Sequence, residues 1–166
     1  MTRLFYEKML TDKFPALQWV RVCTSAPYTA TVYTCDANLD LSEEMISQLN
    51  QFLSEKGMAS CRHIVKHYFE LQKDEAFPIG QVPDCLKKAA LTGNVSRAGV
   101  QSAVKEVFPL IDAERFDVEK NVVTFHLLRE EKWTPYQKKF AELMLTEILP
   151  VGSVARLAMD GQLNVL

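Results

Sequence analysis

The sequence lacks the features that place a protein in a membrane or in an oxidising compartment. No apolar run approaches the ~20 residues that a membrane-spanning helix needs. Residues 1–8 are charged and amphipathic and lack the apolar core and cleavage site of a signal peptide. The four cysteines, Cys23, Cys35, Cys61 and Cys85, form no C-x-x-C pair. The sequence therefore predicts a cytoplasmic protein with free thiols and no membrane attachment.

An excess of positive charge is also missing. The chain has 19 Lys and Arg residues against 21 Asp and Glu residues, which gives a formal net charge of −2. A dedicated nucleic-acid binder usually carries a basic excess, because neutralisation of phosphates supplies most of its affinity. We therefore expect any contact with nucleic acid to be local and weak.

The common motifs of catalysis and of nucleotide binding are absent. Neither G-x-S-x-G, G-x-x-x-x-G-K-[ST] nor G-x-G-x-x-G occurs in the chain. Cys61, His63 and His67 would share one face of a strand, but they would span about 20 Å, which is too far for one metal ion. We therefore predict no catalytic site, no metal, no cofactor and no small-molecule ligand.

What the sequence does contain is one order of elements that occurs twice: helix, β-hairpin, helix, strand. Apolar periodicity and turn residues predict the first copy as helix 2–13, strands near 19–23 and 29–36, helix 40–57 and strand 61–71. The second copy is predicted as helix 96–108, strands 113–118 and 122–128, a helix from residue 134 and strand 154–159. Gly57 is expected to end its helix as a left-handed residue.

These elements predict an α+β fold of two tandem αββαβ units, each a small three-stranded sheet packed on helices. The first unit covers residues 1–74 and the second covers 95–160. Residues 75–94 form a linker with a short bridging helix, and 161–166 form a tail. Phe-Pro closes the first helix of each unit, at residues 14 and 108 (108 − 14 = 94), which favours a duplication.

The last long helix has the clearest start signal and an apolar stripe. Thr134, Pro135 and Gln137 fit a capping box with proline in the first turn. The apolar residues of its stripe are Tyr136, Phe140, Leu143, Met144 and Ile148.

One segment combines basic and aromatic residues: Arg62-His63-x-x-Lys66-His67-Tyr68. Arg62, Lys66 and Tyr68 are our candidates for contact with a nucleic acid or with a protein partner. A solvated face is the more ordinary interpretation, because the net charge is negative.

The chain resembles a known family in its pattern of apolar positions. The positions that carry the resemblance are Leu4-Phe5, Val20-x-Val22 with Val32-Tyr33, Ile46-x-x-Leu49-x-x-Phe52-Leu53, Ile64 to Leu71 with Tyr68 and Phe69, and Val104-x-x-Val107-Phe108-Pro109-x-Ile111. This pattern is similar to the N-terminal region of PolC, the replicative DNA polymerase III α subunit of low-GC Gram-positive bacteria. The resemblance implies two domains of type II KH-like topology, related to a domain of the clamp-loader tau subunit.

The resemblance implies a non-catalytic protein-interaction module of the DNA replication machinery, with a replisome subunit such as tau as its partner. Neither unit has the GXXG loop with which KH domains hold nucleic acid, and the motifs of the polymerase itself are absent. If the chain is part of a DNA-directed DNA polymerase, it is therefore a non-catalytic part. Two alternatives stay open: a weak single-stranded nucleic-acid-binding module, and a structural or assembly adaptor of a phage or mobile element.

Overall fold

The computed structural model describes residues 1–76, 82–92, 96–128 and 133–158. The helices are α1 (Arg3–Lys13), α2 (Glu43–Lys56), α3 (Glu70–Lys73), α4 (Asp84–Leu91), α5 (Arg97–Val107) and α6 (Pro135–Thr146). The strands are β1 (Leu17–Ala26), β2 (Thr29–Asp36), β3 (Arg62–His67), β4 (Ile111–Glu119), β5 (Val122–Leu127) and β6 (Val154–Ala158). The predicted tail 161–166 and parts of the predicted linker, 77–81 and 93–94, lie outside the described residues.

The fold is α+β, with two small three-stranded mixed sheets packed on helices. The first sheet has the order β1-β2-β3 and the second has the order β4-β5-β6. In each sheet the first two strands form an antiparallel hairpin and the third strand runs parallel to the second. The predicted α+β class with two tandem αββαβ units is therefore confirmed.

The two units match in backbone detail at the end of their first helix. Phe14 has φ −122° and ψ 77°, and Phe108 has φ −128° and ψ 75°. Each donates its N–H at 2.8 Å to a carbonyl four residues earlier, of Leu10 and Val104 respectively. The helices begin alike as well, because Thr2 and Ser96 each cap the helix with a side-chain oxygen.

Each unit has its own apolar core between its helices and one face of its sheet. The largest fully buried side chains of the first core are Tyr6, Leu10, Leu49 and Leu53. Those of the second core are Leu86, Ile111, Phe125, Leu145 and Ile148. Leu86 lies on the bridging helix α4, so this helix belongs to the second core.

Two local predictions were wrong. The strand predicted over 61–71 ends at His67, because the chain turns at Tyr68 and continues as α3, whose Leu71 is buried. Gly57 ends α2 with φ −71° and not in the left-handed region. A Cβ atom at Gly57 would lie 2.4 Å from the carbonyl oxygen of Leu53 and 2.6 Å from the ring of His63. Close approach, and not a positive φ, therefore requires the glycine.

The units contact each other through the segment between α6 and β6. The Val151 side chain belongs to the core of the first unit, and its N–H donates to the carbonyl of Met1 at 2.8 Å. Gly152, with φ +89°, accepts from the Tyr28 N–H at 2.8 Å. Its own N–H donates to the Thr24 hydroxyl at 3.0 Å. These hydrogen bonds join parts of the chain that are far apart in sequence.

A nearly buried chain of charges crosses the same junction. The Arg3 guanidinium binds the Glu147 carboxylate at 2.7 Å and the Glu7 carboxylate at 2.8 Å. Arg21 lies 3.9 Å from Glu7 on the other side. The side chains of Arg3 and Glu147 are only 12% and 3% exposed, so their charges stabilise each other out of contact with bulk water.

Candidate functional site

The structure separates the residues of the predicted contact cluster. Arg62 is exposed at the start of β3, whereas Tyr68 follows the last residue of that strand. Six residues of extended chain separate them by about 20 Å. Arg62 and Lys66 lie on the same face of β3, since side chains alternate along a strand. The three residues therefore do not converge on a single point.

Lys66 already has a partner within the chain. Its ammonium lies 2.5 Å from the Asp74 carboxylate, which also accepts from the Tyr33 hydroxyl at 2.8 Å. The hydrogen bond from Lys66 and that from Tyr33 hold the pKa of Asp74 below its usual value. The same hydrogen bond raises the pKa of Lys66. This contact holds the end of α3 against the first sheet, and the negative charge of Asp74 offsets the charge that Lys66 would present to a phosphate.

Aromatic side chains gather at this end of the first sheet. The rings of Tyr68 and Trp19 are 5.9 Å apart, and those of His67 and Phe69 are 5.0 Å apart and stacked. Trp19 and Phe69 are exposed. We name Trp19, Tyr68 and Phe69 the aromatic platform, because bases of a single strand stack on exposed aromatic side chains.

The second candidate surface is the outward side of α6. Tyr136 is 80% exposed, Phe140 46% and Leu143 39%. They follow one another at intervals of four and three residues and so lie on one side of the helix. We name these three residues the α6 outer face. The core side of α6 is made by Ala141, Met144 and Leu145. Of the five residues of the predicted stripe, Met144 and Ile148 are therefore the buried ones.

The equivalent side of α2 is polar. The caps Ser42 and Thr134 align the two helices (134 − 42 = 92), and this alignment also superposes the buried Leu53 on Leu145. The three residues of α2 that match the α6 outer face are Glu44, Gln48 and Gln51, all exposed. The same position in the same fold is therefore polar in one unit and aromatic or aliphatic in the other.

A shallow groove continues the α6 outer face towards the end of α5. We name it the aromatic groove; it has a volume of about 310 Å³. Its apolar lining residues are Phe108, Leu110, Trp133, Tyr136, Phe140 and Ala141. Leu110 is exposed, and Phe108 and Trp133 are half-buried against the second core. Together the groove and the α6 outer face form a continuous apolar surface.

Sequence reasoning missed the α6 outer face because the predicted stripe combined the exposed Tyr136, Phe140 and Leu143 with the buried Met144 and Ile148. At ~100° per residue, the centre of the α6 outer face lies about 130° around the helix axis from the centre of the buried side. A comparison of the two copies would have found them, since α2 places polar residues at the matching positions.

The described residues contain no group of three or more His, Cys, Asp or Glu side chains positioned to hold a metal ion. His63 instead contacts the hydroxyl of Tyr6 at 3.1 Å, and this hydroxyl accepts the Met58 N–H at 2.6 Å. Burial raises the pKa of Tyr6 to about 12 and lowers the pKa of His63. Burial also raises the pKa of the Cys61 thiol, which makes it a poor nucleophile.

Comparisons with protein-family models, with curated proteins and with solved structures find no match to this chain. No helix within the described ranges has the length and hydropathy needed to cross a lipid bilayer.

Proposed function

We propose that this chain is a non-catalytic protein-interaction module that binds its partner through the α6 outer face. The observation that carries the proposal is the difference between the two units. Where α2 exposes Glu44, Gln48 and Gln51, α6 exposes Tyr136, Phe140 and Leu143. Removal of exposed aromatic and aliphatic side chains from water by a partner lowers the free energy of the complex.

The proposed place of action is the cytoplasmic replication machinery, and the proposed partner is a replisome subunit such as tau. This part of the proposal depends on the resemblance of the apolar pattern to the N-terminal region of PolC. An assembly adaptor of a phage or mobile element would use the same face, and the neighbouring genes would distinguish these settings.

The experiment is a titration of the purified chain against purified tau and the other replisome subunits, followed by calorimetry. We expect a dissociation constant of about 10 µM or lower for one of them. Phe140→Glu should weaken that binding roughly 30-fold, as expected for the loss of an aromatic anchor. Gln48→Glu, at the matching position of α2, is the control and should bind like the wild type.

Two results would count against the proposal. Equal binding by Phe140→Glu and the wild type would show that the α6 outer face is not the docking surface. A lack of binding to every replisome subunit at ~100 µM would remove the replisome as the setting.

A second candidate function is weak binding of single-stranded nucleic acid on the aromatic platform. The exposed rings of Trp19 and Phe69 favour it, since bases stack on aromatic side chains. The pairing of Lys66 with Asp74 places it second. Fluorescence anisotropy with labelled oligo(dT) tests it: binding should fall steeply with added salt and be lost in Trp19→Ala. No change in anisotropy at low salt would exclude it.

A further inference from the structure

A second groove borders α6 on the side opposite the aromatic groove. It has a volume of about 620 Å³ and lies between α6, β6 and Thr24 of the first unit. Lys138, Lys139 and Arg156 line it, and we name it the basic groove. Leu143 of the α6 outer face also lines it. The apolar surface and the basic groove therefore meet along one helix.

The acidic side chain in the basic groove does not neutralise these cations by a direct contact. It belongs to Glu142, whose carboxylate accepts the backbone N–H of Leu157 at 3.0 Å. This hydrogen bond holds Glu142 against the edge of β6. Lys139 and Arg156 are exposed, so a partner can reach their charges.

The cations of the basic groove, like the apolar residues of the α6 outer face, are not repeated at the matching positions of the first unit. The alignment that matches α2 with α6 places Ile46, Ser47 and Ile64 at the positions of Lys138, Lys139 and Arg156 (156 − 64 = 92). None of these first-unit residues is charged. The cations are therefore a property of the second unit and not a requirement of the αββαβ fold.

We propose that the partner segment is an acidic amphipathic peptide; this inference rests on the proposed docking function of the α6 outer face. Its apolar side chains contact Tyr136, Phe140 and Leu143, and its carboxylates face the basic groove. Tyr136 and Leu143 are seven residues apart, about 10 Å or two helical turns. A helical partner with apolar residues at i, i+4 and i+7 and acidic residues along one edge fits this surface.

The lining residues favour a peptide over a nucleic acid. Leu110 and Leu143 offer no ring on which a base can stack, but the exposed Tyr136 and Phe140 do. The charges therefore decide between the two ligands. A strand of nucleic acid brings one phosphate per nucleotide, whereas the whole chain carries a net charge of −2. An acidic peptide needs only a few cations along one edge of an apolar contact.

The test is a selection from a displayed library of random 16-residue peptides against the purified full chain. We expect enriched peptides that combine Leu or Phe at helical spacing with several Asp or Glu residues. Binding of the enriched peptides should be lost in the Phe140→Glu variant and retained in the Gln48→Glu variant. Lys139→Glu should reduce binding of the best synthetic peptide about 10-fold at low salt, and Ser47→Glu, the matched control, should not.

The outcomes separate the two proposals. If the enriched peptides are neutral or basic and their binding still depends on Phe140, docking on the α6 outer face is supported and the proposal of an acidic partner is wrong. Binding of oligo(dT) that is lost in Lys139→Glu would assign the basic groove to nucleic acid and would also overturn it. If no peptide is enriched, or if sedimentation shows that a second copy of the chain occupies the face, the peptide-docking inference fails.

Discussion

At the scale of single residues, Gly57 shows how the end of a helix can be predicted correctly for the wrong reason. The sequence places a glycine at a helix end, where a left-handed conformation is common. The structure gives it φ −71° and packs the ring of His63 where a Cβ atom would be. That ring comes from β3, so the local sequence around Gly57 carries no sign of it.

Substitutions of Gly57 distinguish the two explanations. Gly57→Ala should lower the free energy of unfolding by about 1–3 kcal/mol, because the added Cβ atom clashes with the Leu53 carbonyl and the His63 ring. Gly57→Asn should cost more, since its side chain is larger. Urea unfolding measures both. A left-handed glycine would give the opposite order, because Asn tolerates that conformation better than Ala.

His63 should make the stability depend on pH. Burial lowers the pKa of His63, so the folded chain binds this proton less readily than the unfolded chain. The contribution to stability is fully present above the ordinary histidine pKa of ~6.5 and is lost as the pH falls through the lowered value. Urea unfolding between pH 5 and 8 should show this slope in the wild type.

The control for this pH dependence is another histidine of the same strand. His63→Gln should flatten the slope, whatever its effect on the absolute stability, whereas His67→Gln should retain it. An unchanged slope in His63→Gln would assign the pH dependence to other groups.

At the scale of elements, the sequence predicts the kind and order of the long elements well. The bounds of β2 agree with the prediction, and the capping box of Thr134 and Gln137 is present in both directions. Elements with a strong local signal are predicted because capping and periodicity act within a few residues. The turn at Tyr68 was missed because apolar residues occur on both sides of it, Ile64 and Val65 before it and Phe69 and Leu71 after it.

The orientation of an apolar stripe is not a local property. Apolar residues of α6 lie on two sides of the helix, and only the packing of the second core selects Ala141, Met144 and Leu145 as the buried ones. The α6 outer face was missed for this reason. The role predicted for Arg62, Lys66 and Tyr68 stays a prediction, and the three side chains do not lie together in the structure. Sequence periodicity counts apolar positions but does not say which of them the tertiary structure covers.

The outward orientation of α6 predicts a contrast in stability. Tyr136→Glu, which installs the α2 residue at an 80% exposed position, should change the free energy of unfolding by less than about 0.5 kcal/mol. Leu145→Ala, on the core side of the same helix, should cost about 2–5 kcal/mol. Urea unfolding measures both variants. A large loss in Tyr136→Glu would mean that this ring is part of the core.

At the scale of the whole molecule, the two units share one fold, differ in their surfaces and contact each other at one junction. The hydrogen bonds of Val151 and Gly152 and the ion pair of Arg3 with Glu147 connect the second unit to the first. Because the first unit buries Val151 in its own core, separation of the units would expose apolar surface as well as unpaired charge. The junction therefore couples the stability of the two units.

This coupling can be measured because the two tryptophans of the chain, Trp19 and Trp133, lie in different units. Single-tryptophan variants, Trp133→Phe and Trp19→Phe, report the unfolding of the first and second unit respectively. In the otherwise wild-type chain we expect their urea transitions to coincide. Glu147→Gln removes one of the two carboxylates that pair with the nearly buried Arg3 and leaves Glu7 as the other, so it should cost about 2 kcal/mol and separate the two transitions. Glu114→Gln, which breaks the exposed pair with Lys105, is the control; it should cost at most about 1 kcal/mol and leave the two transitions coincident.

Two results would show that the ion pair does not couple the units: coincident transitions in Glu147→Gln, or separate transitions before any change at the junction.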